Sequence, residues 1–155
     1  MNNPKEVTEK LKRRNKGETL SSLKRKVWVL FSLYIRMRDC LKTTGTLTHC
    51  KCITCTKLLE LKEAQAGHFV DRRHSATLFD ETNVHAQCGR CNVYLDGEIL
   101  KYRREIIRLY GEGYDVQLEE KAIETKKFTI AELEEMKEAY KEKIKELLKQ
   151  ETAGA

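Results

Sequence analysis

Cys52-Ile-Thr-Cys55 and Asn83-Val-His85-Ala-Gln-Cys88-Gly-Arg-Cys91-Asn92 are the stretches whose reading decides the fold. Each C-x-x-C can present two thiolates from one tight turn, and two such turns complete a tetrahedral all-thiolate zinc site. Cys50 and His49 lie beside the first pair, so a register with Cys50 as a ligand is also open. The matching spacing favours Cys52, Cys55, Cys88 and Cys91. A closed four-thiolate site leaves no position for substrate, so its expected role is to hold the fold. Any chemistry must come from what the zinc holds in place.

The surroundings of this stretch agree with a metal staple. The chain has 155 residues, of which 7% are aromatic and 35% charged, so one small core with helical extensions is expected. It has no run of eighteen apolar residues and no signal-peptide pattern, which reads as soluble, intracellular and without a membrane partner. In that compartment paired C-x-x-C motifs point to metal rather than disulfides. Charge is uneven: residues 1–50 carry 12 Lys/Arg against 4 Asp/Glu, while residues 105–155 carry 9 against 13. A basic front and an acidic tail suggest a polyanion bound at the front and centre.

Outward from the cysteines, three segments are expected. Residues 1–20, with Lys10-Leu-Lys-Arg-Arg-Asn-Lys16, read as a basic flexible arm. Residues 21–110 hold a helix and the zinc-stapled core. Ser21 or Ser22 caps a helix to about Leu41, with Leu23, Val27, Leu30 and Tyr34 on one face and Gly45 as breaker. Cys40, near its end, reads as a small buried hydrophobe. Ala66-Gly-His-Phe-Val70 reads as a strand, Asp71-Arg-Arg-His-Ser75 as a polar loop and Asn83-Val-His-Ala86 as a short strand or turn. Asn92 begins a helical stretch, and Glu98–Tyr110 is a helix stopped by Gly111. Residues 111–155 are a connector, on which Val116, Leu118 and Ile123 are expected to dock, and an amphipathic helix. That helix is opened by the capping box Thr129-Ile-Ala-Glu132. It packs on the first helix or on a second subunit.

A hydrolytic nuclease needs a base for water, a divalent ion for the scissile phosphate and a scaffold for both. His68 is the candidate base. Asn92, directly after the last cysteine, is rigidly placed to ligate Mg²⁺ or Mn²⁺, and Asn83 is placed to hydrogen-bond across the hairpin and set the His68 ring. Singly, each has an ordinary structural reading as a surface histidine, a helix cap or a turn residue. Their order and spacing carry the functional one. Arg72, Arg73, Arg90, Lys24, Arg25 and Lys26 are the basic side chains expected to face DNA.

This order resembles HNH, or ββα-metal, endonucleases stapled by a four-cysteine zinc, and more closely the phage NinG/Rap recombination proteins. The matching blocks are Tyr34-Ile-Arg-Met-Arg-Asp39, Cys52-Ile-Thr-Cys55, Gln65-Ala-Gly-His-Phe69, Phe79-Asp-Glu-Thr-Asn-Val-His-Ala-Gln-Cys88, Cys91-Asn92 and Lys127-Phe-Thr-Ile-Ala-Glu-Leu133. The resemblance implies an α+β, mostly helical fold, with a small ββα-metal core flanked by an N-terminal helix and C-terminal helices. It also implies a phage- or prophage-encoded endonuclease in the bacterial cytoplasm, acting on Holliday junctions and D-loops. His68 would be the general base, Asn83 its orienting residue and Asn92 a ligand of the catalytic ion. One departure stands out: many HNH sites carry an acidic or imidazole ligand directly before the base, where this chain has Gly67. Asp71, Asp80, His85 or His68 itself are the alternatives. Two active sites on opposed strands would call for a homodimer. A zinc-stapled DNA-binding module without catalysis, and an interaction protein built on the first and last helices, are the competing classes.

Overall fold

The computed structural model describes residues 17–154, so the basic cluster Lys10–Lys16 lies outside the described residues. Helix α1 spans Leu20–Thr44. Thr19, rather than Ser21 or Ser22, is its N-cap: the Thr19 backbone is extended and its hydroxyl accepts from the Ser22 N–H. The helix ends at Gly45, in the left-handed conformation open to glycine (φ 76°), whose N–H bonds the Leu41 carbonyl.

Two antiparallel hairpins follow. In the first, β1 (His49–Lys51) pairs with β2 (Leu58–Glu60), Cys50 opposite Leu59. The turn between them carries Cys52 and Cys55. In the second, β3 (Gln65–His68) pairs with β4 (Val84–Gln87), Gly67 opposite His85 and His68 opposite Val84. A short 3₁₀ turn at Ser75–Thr77 lies inside the loop that joins them. After β4 the chain makes one π-helical turn, Arg90–Tyr94, and then helix α2, Ile99–Tyr110.

The expected connector is instead a third helix, α3 (Tyr114–Ile123). Leu118 docks as expected, but Val116 and Ile123 are exposed. Asp115 and Glu119 both pair with Arg103 of α2, which fixes α3 beside it. The capping box at Thr129 and Glu132 forms and opens α4, Ile130–Ala153.

Helix α4 lies along α1. Leu23 and Val27 meet Leu133, and Phe31 meets Tyr140 edge-on at 5.2 Å. Glu81, in the β3–β4 loop, accepts from Tyr34 of α1, Tyr140 of α4 and Lys143 of α4, and so ties the three together. The fold is thus mixed α+β, with long helices bracketing two short hairpins and a cysteine cluster. Among the described residues no helix is long and apolar enough to cross a membrane.

Candidate functional site

The sulfurs of Cys52, Cys55, Cys88 and Cys91 all lie within 4.8 Å of one another. Cys55 Sγ and Cys88 Sγ are 3.8 Å apart. That is about the edge of a tetrahedron with 2.3 Å zinc–sulfur bonds, and far beyond the roughly 2.05 Å of a disulfide. Backbone N–H groups point at the sulfurs, Cys88 N at Cys52 Sγ (3.3 Å) and Cys91 N at Cys88 Sγ (3.4 Å). Burial alone would raise the Cys52 thiol. Hydrogen bonds from the Thr54 hydroxyl and from backbone N–H groups overcome that and bring its pKa to about 7. Burial pushes Cys91 up to about 12. Four sulfurs at this spacing fit a divalent cation that would hold them as thiolates. Cys40 and Cys50 stand outside the cluster, both buried; the neighbouring Cys50 thiol and burial raise the Cys40 thiol. The His49 ring bonds only the hydroxyl of its neighbour Thr48 among the described residues.

Beside the four-cysteine cluster lies a cleft of about 570 Å³, lined by His68, Asp71, Arg72, Asn92, Asp96 and Gly97 among others. His68 ends β3 with its ring stacked on Trp28 of α1 (5.2 Å, 18°). Its Nε2 lies 3.0 Å from the Leu78 carbonyl. A carbonyl only accepts, so Nε2 carries the proton and Nδ1 the lone pair. Burial lowers the His68 pKa, against the opposing pull of the Leu78 bond, which keeps the ring neutral near pH 7. Arg72 lies over the other ring of this stack, 5.6 Å from Trp28.

Asn83 does not touch the imidazole. Fully buried, it accepts from Val70 N (2.7 Å) and donates to Val70 O (2.9 Å) and Thr77 O (3.1 Å). It therefore pins both ends of the loop whose Leu78 carbonyl holds His68. Asn92, on the turn after Cys91, donates to Gln65 Oε1 (2.8 Å) and turns its Oδ1 toward Gly67.

Two candidate residues lie elsewhere. His85 is 3% exposed and faces α2, between Tyr102 (3.2 Å) and Tyr110 (2.8 Å), so it is not a ligand in the cleft. Every residue of β4 is buried, and on the side to which His85 points the two tyrosines of α2 cover it. Asp80 caps its own loop through Thr82 and pairs with Lys121 of α3, away from His68. Asp71 lines the cleft while one carboxylate oxygen accepts from Arg73. Of the basic residues, Lys24 and Arg25 share a hollow with Trp28 and Arg72. Lys26 pairs with Glu18 instead, and Arg90 is exposed on the cysteine turn.

A family model described as Bacteriophage Lambda NinG protein matches residues 2–151. The chain belongs to the NinG family. Protein ninG of Escherichia phage 933W and Protein ninG of Escherichia phage lambda are each 32% identical over 97 residues, 62% of this chain and 47% of theirs. Protein ninG of Salmonella phage P22 is 31% identical over the same share. The chain thus spans about half the length of these curated NinG relatives. No solved structure matches.

In this NinG-family chain several site neighbours escaped the sequence reading. Trp28 of α1 forms one wall of the His68 site. Tyr102 donates to the Gly67 carbonyl (2.7 Å) from 35 residues away. Asp96 joins the cleft by way of a left-handed turn (φ 48°). Gln87 and Thr54 sit under the cleft. No motif marks Trp28, Tyr102 or Asp96, because their positions depend on long-range packing. For Gln87 a signal existed in its place between His85 and Cys88, inside a matching block.

Proposed function

We propose that this chain is a structure-selective DNA endonuclease that hydrolyses phosphodiesters at branches such as Holliday junctions and D-loops, with Mg²⁺ or Mn²⁺. The observation that carries the proposal is His68: a neutral imidazole whose Nε2 is occupied by Leu78 and whose Nδ1 is left as the base, in one cleft with Asn92 and Arg72. The β3–β4 hairpin followed by a helical turn has the order of a ββα-metal element.

In this reading His68 Nδ1 takes the proton of the attacking water. Asn92 Oδ1 would hold the cation, which when bound supplies charge to neutralise the scissile phosphate. Arg72, Lys24 and Arg25 grip flanking phosphates. Asn83 acts at one remove, by fixing the loop that orients the ring. A homodimer would place two such clefts on opposed strands.

The test is nicking of a labelled four-way junction across Mg²⁺, Mn²⁺ and chelator. Wild type is expected to cut, and His68→Ala to lose at least about 100-fold in rate, the ordinary scale of general-base catalysis, with zinc content and folding unchanged. Normal cutting by His68→Ala would remove the assignment. The bare position at Gly67 favours a second reading, a DNA-binding module without catalysis. Salt-sensitive junction binding with no cutting under any divalent ion would establish it instead.

A further inference from the structure

Gln87 has no solvent exposure, and only half of its amide has partners. Its Nε2 donates to the Gly97 carbonyl (2.9 Å) and to the Thr54 hydroxyl (3.1 Å). Because the Gly97 carbonyl can only accept, that bond fixes which end of the amide is nitrogen. The other end, Oε1, is buried without a hydrogen-bond partner. Buried acceptors are rarely left so.

What faces this oxygen is the glycine of β3. A Cβ on residue 67 would stand 2.0 Å from Gln87 Oε1 and 3.0 Å from Asn92 Oδ1. Two amide oxygens therefore converge on the space that a side chain at position 67 would fill. Hard divalent cations take amide and carbonyl oxygens, and Mg²⁺ does so at about 2.0–2.1 Å.

We propose that Gln87 is a ligand of a divalent cation shared with Asn92, and that it reaches from β4 to replace the ligand that residue 67 lacks. That this cation is the catalytic one rests on the nuclease reading. Both oxygens are neutral, so binding to the free protein is weak, and Asp71 and Asp96 on the cleft wall add the nearby charge. The Thr54 hydroxyl also lies 3.4 Å from Cys52 Sγ, so the zinc turn sets the position of the ligand.

The experiment is a Mn²⁺ titration of the zinc-loaded, ¹⁵N-labelled chain, followed through its side-chain amide signals, beside the junction-cutting assay. The Gln87 and Asn92 NH₂ signals are expected to broaden first and to return on competition with excess Mg²⁺. Gln87→Met is expected to need at least tenfold more Mn²⁺ both for broadening at Asn92 and for cutting. Gln87→Glu, which supplies a charge, is expected to need about tenfold less. If wild type cuts while its Gln87 signal survives at cutting concentrations of Mn²⁺, Gln87 is not a ligand and the nuclease reading stands. If both signals broaden but nothing is cut, the cation site stands and the nuclease reading falls. Should Gln87→Met fail to fold, the wild-type titration decides alone.

Discussion

At His85 the hydrogen-bond directions can be followed atom by atom. Tyr102 gives its proton to the Gly67 carbonyl, so its oxygen accepts from His85 Nδ1–H, and the neutral ring takes the Tyr110 proton at Nε2. The ring that looked like a ligand instead braces the glycine before His68. Burial lowers its pKa to about 4, from an ordinary 6.5. The unfolded chain then binds the proton more readily, so the stability from His85 is complete above about pH 6.5 and is lost toward pH 4. About 1.5 kcal/mol of it should go between pH 6.5 and 5, because the slope reaches its full value of about 1.4 kcal/mol per pH unit only well below pH 6.5. Urea unfolding of wild type and His85→Phe at the two pH values measures this as a difference in slope, since zinc loss is common to both. Parallel slopes would contradict it. A histidine two positions after an asparagine reads as chemistry, and nothing in the sequence places two tyrosines against it.

At the scale of elements, β4 has no second strand on its outer side among the described residues, yet its backbone is covered. Arg38 of α1 donates to Val84 O (2.9 Å) and Glu81 O (2.7 Å), Asp39 accepts from Ala86 N (2.7 Å), and Ile53 N donates to Ala86 O (2.9 Å). Helix side chains and a loop thus close an edge that would otherwise invite pairing with another chain. Arg38 and Asp39 also pair with each other at 8% and 9% side-chain exposure. Arg38→Met should therefore cost about 3–5 kcal/mol, because Asp39 is left buried and uncompensated. In a thermal melt, Arg38→Met/Asp39→Leu is expected to recover part of that loss. From the sequence, helices α1, α2 and α4 were legible because their apolar residues recur at three and four. Helix α3 was not: it buries little beyond Leu118, Ala122 and Asp115, and the last of these is held by an ion pair. Strands β1 and β2, three residues each, carry too short a pattern for a period of two to show.

For the whole molecule, the four-cysteine cluster joins segments that lie 33 residues apart, Cys55 and Cys88. Structural zinc contributes about 10–16 kcal/mol of apparent binding free energy in small domains. Cys88→Ser is expected to lose zinc and to unfold both hairpins, visible as collapse of their amide dispersion, while α1 and α4 retain helical circular dichroism. A metal-free Cys88→Ser with dispersed hairpin signals would contradict the four-thiolate site. The charge asymmetry was legible too, though its acidic half is largely self-neutralised by Lys141–Glu138, Lys145–Glu142 and Lys149–Glu146 along α4. The Trp28 stack gives the molecule a built-in optical probe. The chain has a single tryptophan, which stacks on the imidazole and lies 5.6 Å from the Arg72 guanidinium. Indole emission is quenched by a charged imidazole neighbour, so an acid titration of native fluorescence reads the His68 proton directly. In the proposed nuclease reading, a phosphate backbone that displaces Arg72 would change the same light, and the binding of a junction would be timed without a label.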